Sequence, residues 1–371
     1  MVYTILYITN SINGSGGLER VLSIKASYLT DNFNYEVHIL TLNKSHQSPF
    51  YKFSSNIKFH DIKVRGNFIN YFFQYKKGIK KIIKKIKPNV ISVCDDGLKG
   101  VLFPLIFRNK IPIIYERHAS VNLNFSRDYK TSFIKKAQFY FEHKLMVFGA
   151  KKFDAFVVLT NGNKKDWPNV ECTVIPNPSP FNIFNDWNKY NKKVVLAVGS
   201  QSYNKGYDRL IKIWDIVHKK HPDWKLKIFG KTTKKLNLQH EIDLLGLNKT
   251  ILLHKPVQNI EDQYKEASIY VMPSRSEGFG MVLIEAMAYG LPCISFDCPH
   301  GPADIIKEGK DGFLIPNGDI SGFASTIIKL IENKDKRSIM ENNAILNAKR
   351  YAPEKIIPLW DELFKSLVKD L

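Results

Sequence analysis

Two carboxylates, Glu277 and Glu285, stand eight positions apart in the segment Pro273-Ser-Arg-Ser-Glu-Gly-Phe-Gly-Met-Val-Leu-Ile-Glu-Ala-Met-Ala-Tyr-Gly-Leu-Pro292. A strand-like run ends near Met272, a loop flanked by glycines carries Glu277, and a helix opening near Gly280 carries Glu285 in its second turn. The backbone N–H groups of Gly278, Phe279 and Gly280, together with the positive end of the helix dipole, make a place for phosphate. An ionised carboxylate beside it accepts hydrogen bonds from two neighbouring sugar hydroxyls at once. Taken singly, Glu277 reads as an N-terminal helix charge and Glu285 as a solvated helix residue; the whole string gives them weight.

Three more loops follow strand-like runs. In Val198-Gly-Ser-Gln-Ser-Tyr-Asn-Lys-Gly206 a strand end turns into a helix, and Lys205 at the mouth of that turn can reach a diphosphate and neutralise charge growing on a leaving group. In Asn13-Gly-Ser-Gly-Gly-Leu-Glu-Arg20, Gly16 and Gly17 let the backbone approach a ligand closely. The dinucleotide fingerprint would need a spaced G-x-G-x-x-G and an acidic residue about 20 positions on. In Tyr115-Glu-Arg-His-Ala119, His118 ends another strand. A lone His is commonly structural, and its place at a strand terminus is what raises it.

The longest segment resembles glycosyltransferase family four, the large retaining family with the GT-B fold. That family is marked by S-x-x-E-G-F-G followed by E-A-M-A-x-G-x-P, and Ser274, Glu277, Gly278, Phe279, Gly280, Glu285, Ala286, Met287, Ala288, Gly290 and Pro292 match it. The resemblance implies that Glu277 lies by the donor sugar, that Gly278, Phe279 and Gly280 face the sugar and diphosphate, and that Glu285 holds the ribose. The family's G-R, a few residues, K-G loop matches at Lys205 and Gly206, but Ser200 stands in the Arg position. Arg275 and Lys231 are the nearest cations to compensate. By the same resemblance Gly16 and Gly17 lie near the donor phosphates or the acceptor, His118 lies beside the transferred sugar, and Val257 joins the donor-binding set. The implied reaction is transfer from a nucleotide diphosphate sugar, UDP being the commonest carrier, with retention through an oxocarbenium-like state. The leaving phosphate would help to deprotonate the acceptor. No metal or other cofactor is expected: no Asp-x-Asp occupies these segments, and adjacent Asp95 and Asp96 point different ways on an extended chain. Bacterial members of this kind often extend surface polysaccharides or lipid-carried oligosaccharides, so a glycan or lipid-linked acceptor is expected.

The elements that must position these residues alternate between short β-branched runs and amphipathic helical stretches, the pattern of repeated βα units. Strands are predicted at Tyr3–Thr9, Glu36–Thr41, Asn89–Val93, Ile111–Tyr115 and Ala155–Leu159. A second series covers Lys193–Val198, Leu226–Phe229, Ile251–His254, Ile269–Met272 and Cys293–Phe296. A Pro-rich break near Ile175 and a polar stretch after it divide the two. The pattern gives an α/β chain of two doubly wound halves in tandem, and the family resemblance implies the fold class α/β, GT-B, with two Rossmann-like doubly wound domains facing a central cleft. The predicted domains are 1–187 and 188–352, followed by an amphipathic 353–371; the resemblance implies that the first is the acceptor side, that the second binds the nucleotide sugar and that 353–371 crosses back to pack on the first. Closure of the two would assemble the site and exclude water.

Composition agrees with two domains: 371 residues, 44% hydrophobic. No apolar run reaches the roughly 18 residues a membrane helix needs. The opening MVYTILYITN lacks a basic region and cleavage site, reads as a strand, and leads us to expect a cytoplasmic protein. Cys94, Cys172, Cys293 and Cys298 are scattered, without metal or disulfide spacing, and are expected to be buried thiols. Of the net charge of +20, residues 1–190 carry 28 Lys+Arg against 13 Asp+Glu, a net +15. That half is expected to face something anionic. The stretch 74–87 sets Ile79, Ile82, Ile83 and Ile86 on one helical stripe with lysines elsewhere, so a helix docked on its own sheet still offers Lys80, Lys81, Lys84 and Lys85 to an anionic membrane. Nucleic-acid binding is the rival suggested by charge, but no recognition module appears and no nucleic-acid partner is expected. A nucleotide-sugar epimerase of the same architecture is a second rival, without the paired-Glu loop.

Overall fold

The computed structural model describes residues 2–43, 48–107, 110–120, 133–184, 192–232 and 236–369. Among the described residues, thirteen strands form two parallel sheets. The first holds β1 (Thr4–Thr9), β2 (Glu36–Leu42), β3 (Lys58–Ile62), β4 (Val90–Cys94), β5 (Ile113–Glu116), β6 (Ala155–Val158) and β7 (Cys172–Val174), in the order β3-β2-β1-β4-β5-β6-β7. The second holds β8 (Val194–Val198), β9 (Lys225–Phe229), β10 (Ile251–His254), β11 (Ile269–Met272), β12 (Cys293–Asp297) and β13 (Gly312–Pro316), in the order β10-β9-β8-β11-β12-β13. All pairings are parallel.

The ten strands predicted from sequence are all present, and three were missed. β3, β7 and β13 are each the edge of a sheet. Interior β4 is buried at every position, which takes an unbroken apolar run, whereas β3 is exposed at two of its five residues and reads Lys-Phe-His-Asp-Ile. An edge strand has a neighbour on one side only, so its composition carries a weak signal.

Right-handed crossovers fix where the helices lie. The step from β1 to β2 runs one way across the first sheet through helix Gly17–Phe33, while the steps from β3 to β4 through Phe68–Ile86 and from β5 to β6 through Phe133–Ala150 run the other way. The last two helices therefore share the face opposite Gly17–Phe33. The C-terminal helix Pro353–Lys369 packs against Gly17–Phe33 and places Ile356, Ile357, Trp360 and Phe364 in the core with Tyr7, Leu22, Ala26 and Leu29. Tyr35 donates a hydrogen bond to Asp361 at 2.6 Å, tying that helix to the start of β2.

The chain forms two compact units: one from the segments ending at Ala119 and Pro180 with the stretch from Pro353, the other chiefly from Phe181 to Ala352. The main segment of the second unit starts at Phe181, ahead of the boundary at 188 expected from sequence, and the unit also takes in Ser120. Phe181 is buried between Tyr264 and Tyr289, with ring centroids 6.0 and 5.4 Å away, so the chain joins the second core before its polar stretch begins. The second core gathers Val195, Leu210, Trp214, Ile228 and Phe323 around its sheet.

Candidate active site

Because each sheet is parallel, every loop that leaves a strand's carboxyl end emerges along one edge, where open α/β sheets bind their ligands. In the second unit this edge collects Ser200 after β8, Lys231 after β9, Val257 after β10 and the 273–280 loop after β11. In the first it collects Gly16 and Gly17 after β1 and His118 after β5.

Two close backbone approaches shape the second edge. A Cβ on Gly206 would lie 2.0 Å from the Pro273 carbonyl oxygen, and one on Gly230 would lie 1.7 Å from that of Gly199. Gly206 also has φ of +70°, the left-handed region that side chains disfavour. With the loops this close, they are joined residue by residue. The Arg275 N–H donates to the Asn204 carbonyl at 2.7 Å, and the Asn204 side chain donates to the Ser276 carbonyl at 2.8 Å. Lys205 then donates to Glu277 Oε1 at 2.6 Å, with Glu277 8% exposed. The structure brings together two residues that sequence reasoning selected from loops 72 positions apart.

Arg275 is a correction. Its guanidinium makes two bonds to Asp208, at 2.8 and 2.6 Å, donates to the Tyr203 carbonyl and lies 3.7 Å from the Tyr203 ring centroid. A guanidinium so committed holds the Lys205 loop in place and is not a spare cation for the Ser200 position. Lys231 is exposed, and its carbonyl accepts the Gln201 N–H at 2.8 Å, which keeps it directly beside Ser200. Val257 is 40% exposed beyond edge strand β10.

Helix Met281–Ala288 starts from Gly280 at φ +100°, and carries Glu285 at 2% exposure. The Tyr264 phenol donates to Glu285 Oε2 at 2.9 Å, and Tyr264 stacks on Tyr289 at 5.6 Å. Tyr264 has no motif around it, and only the fold brings it to Glu285.

In the first unit Gly16 is the N-cap of helix Gly17–Phe33, and both glycines are exposed. His118 Nε2 sits 3.1 Å from Glu116 Oε2, while Lys25 donates to that same oxygen and Ser92 donates to Oε1 at 2.5 Å. Lys25 is fully buried, its ammonium 3.7 Å from the Trp360 ring centroid and 4.9 Å from that of Tyr7. Burial raises the Glu116 pKa, but Lys25 and His118 outweigh it and hold the carboxyl at about 2. Lys25 lies on an otherwise ordinary amphipathic stripe, and no spacing signals its partner 91 positions away. Cys94, Glu116 and His118 also offer ligand atoms within 4.8 Å of one another. The Lys25 ammonium already fills the cationic place there, and burial pushes the Cys94 thiol pKa up, away from the thiolate a metal would need.

Comparison with known proteins converges on one family. The model of the family described as glycosyl transferases group 1 matches residues 181–347, and that described as glycosyl transferase 4-like matches residues 20–155. The amylovoran biosynthesis glycosyltransferase AmsD of Erwinia amylovora is 30% identical over 98% of this chain and 99% of its own. The chain belongs to the group 1, family-four glycosyltransferases. It is an enzyme of the hexosyltransferase type, and its fold is GT-B. A lipopolysaccharide 1,6-galactosyltransferase of Salmonella typhimurium is 24% identical over 90% of both chains. The crystal structure of the Anabaena protein HepE in complex with UDP and glucose superposes with a TM-score of 0.77 at 18% identity, covering 98% of this chain and 100% of that one.

The buried pair in the first unit makes a stability prediction. Lys25→Met alone strands a buried carboxylate and is expected to cost about 3–5 kcal/mol, whereas adding Glu116→Gln should restore most of it. Urea denaturation checks this, and a loss under about 1 kcal/mol for the single change would contradict it. The Glu116 pKa is lowered from 4.5 to about 2, so its stabilisation is complete above pH 4.5 and is lost as pH falls toward 2.

Proposed function

We propose that this glycosyltransferase moves a sugar, with retention, from a UDP-sugar to a glycan or lipid-linked glycan of a surface polysaccharide or lipopolysaccharide, at the inner face of the cell membrane. The observation that carries the donor assignment is the Lys205–Glu277 pair at the carboxyl edge of the second sheet, beside the N-terminus of helix Met281–Ala288. The ammonium has three donors and spends one on Glu277, so a diphosphate can take the others and balance charge as it leaves. Glu277 then accepts from the sugar hydroxyls, and the N–H groups of Gly278, Phe279 and Gly280 face the sugar and phosphates. Glu285, oriented by Tyr264, takes the ribose. Lys231 supplies the cation missing at Ser200. Val257 stays with the donor set, and in the first unit His118, Gly16 and Gly17 keep the roles the family resemblance implies. Lys205 and the helix dipole stand in for a divalent cation, so no cofactor is needed. The names of the Salmonella relative and of the UDP- and glucose-bound Anabaena structure support this reading of acceptor and donor.

The lipid-linked acceptor rests on the first unit. Helix Phe68–Ile86 buries Ile79 and exposes Lys80, Lys81, Lys84 and Lys85, and no helix among the described residues is long and apolar enough to cross a membrane. On the same face of the sheet, helix Phe133–Ala150 leaves Tyr140, Phe141 and Phe148 at 50–62% exposure, with Lys144 over the Tyr140 ring and Lys152 over that of Phe148. Exposed aromatics among lysines suit a lipid headgroup layer, with a basic face adding attraction over a Debye length of about 8 Å.

Glu285→Ala is expected to weaken binding of the free nucleotide diphosphate about 10- to 100-fold by calorimetry, because hydrogen bonds to a charged group are lost. Glu277→Ala should leave that affinity unchanged or tighter, since Lys205 is released, and should mainly lower turnover, with the parent rate persisting in excess chelator. Parent-like nucleotide binding by Glu285→Ala would remove the ribose assignment, and a rate that collapses with chelator and returns with magnesium would remove the metal-free one. Co-sedimentation with anionic vesicles is expected to fade with salt and to weaken at least about tenfold when the four lysines become Gln. Failure to bind neutral and anionic vesicles alike would remove the case for a lipid-linked acceptor.

A further inference from the structure

Glu116 ends β5 at 1% exposure; ionised, it carries no hydrogen and can only accept, and its oxygens already accept from the Lys25 ammonium and the Ser92 hydroxyl. The His118 nitrogen facing it, Nε2 at 3.1 Å, must therefore carry the hydrogen. In the neutral imidazole that leaves Nδ1 as a lone pair. His118 Nδ1 is buried and has no hydrogen-bond partner among the described residues. A buried acceptor without a donor is rare in a folded protein and marks a place where a donor is missing. The support behind Glu116 is rigid: Lys25 is clamped between the Tyr7 and Trp360 rings, and Trp360 belongs to the C-terminal helix.

We propose that Glu116, backed by Lys25, is a positioning residue for sugar transfer: it fixes His118 in the Nε2–H tautomer so that Nδ1 accepts a hydrogen bond from a sugar hydroxyl. The hydroxyl rests on the glycosyltransferase reading given above, whereas the tautomer does not. The C-terminal helix thereby acts on the site without touching it, since Trp360 covers the cation that holds the carboxylate that orients the imidazole. Glu116 touches no substrate in this scheme.

The test is a long-range proton–nitrogen correlation spectrum of histidine-labelled protein at pH 8, without ligand. His118 is expected to show an unprotonated Nδ1 and a protonated Nε2 in the parent. Lys25→Met/Glu116→Gln, which removes both charges together, is expected to mix the tautomers, to lower kcat about a hundredfold through misplacement, and to bind free UDP as the parent does. A hydrogen on Nδ1 in the parent overturns the proposal, and that spectrum needs no variant to fold. A double variant that keeps the parent tautomer, or keeps the parent kcat, overturns it as well. If the parent transfers no sugar, the functional reading fails while the spectrum still decides the tautomer.

Discussion

The absence of a side chain at Gly206 governs the second unit's site. A Cβ there would sit 2.0 Å from the Pro273 carbonyl oxygen, so only glycine lets the loop after β8 lie against the loop after β11. From that contact follow the Asn204 bonds to both Arg275 and Ser276, the Arg275–Asp208 clamp, and the meeting of Lys205 with Glu277. Gly230 does the same one strand over, where its backbone meets that of Gly199 and brings Lys231 beside Ser200. This stretch of the carboxyl edge is thus built from backbone proximity first and charge second.

The first unit uses a different constraint. A buried lysine costs much desolvation unless its charge is matched, and here Glu116 and two aromatic faces match it. The arrangement links β4 through Ser92, β5 through Glu116, helix Gly17–Phe33 through Lys25 and the C-terminal helix through Trp360. The residue at its outer end is His118.

Sequence reasoning reached what is local. Interior strands announced themselves because burial on both faces demands continuous apolar runs, and the paired-Glu loop because its chemistry is contiguous along the chain. Edge strands β3, β7 and β13 were silent, since half of their surroundings make no demand on composition, whereas edge strand β10 keeps the apolar run Ile-Leu-Leu with no exposed residue and was legible. Lys25, Tyr264, Asp208 and Trp360 were silent for a different reason: each matters through a partner that only tertiary structure supplies. Arg275 shows the converse, a residue whose charge drew attention and whose partners turn out to be structural.

The central claim, that the carboxyl edge of the second sheet holds a nucleotide diphosphate sugar through Lys205, is tested most directly by thermal unfolding against a panel of UDP- and GDP-sugars. A ligand that binds only the folded state at a hundred times its Kd stabilises it by about 2.7 kcal/mol. The account predicts that at least one nucleotide sugar raises the Tm of the parent and that Lys205→Met loses most of that shift. No stabilisation by any nucleotide sugar, or a full shift retained by Lys205→Met, would contradict it.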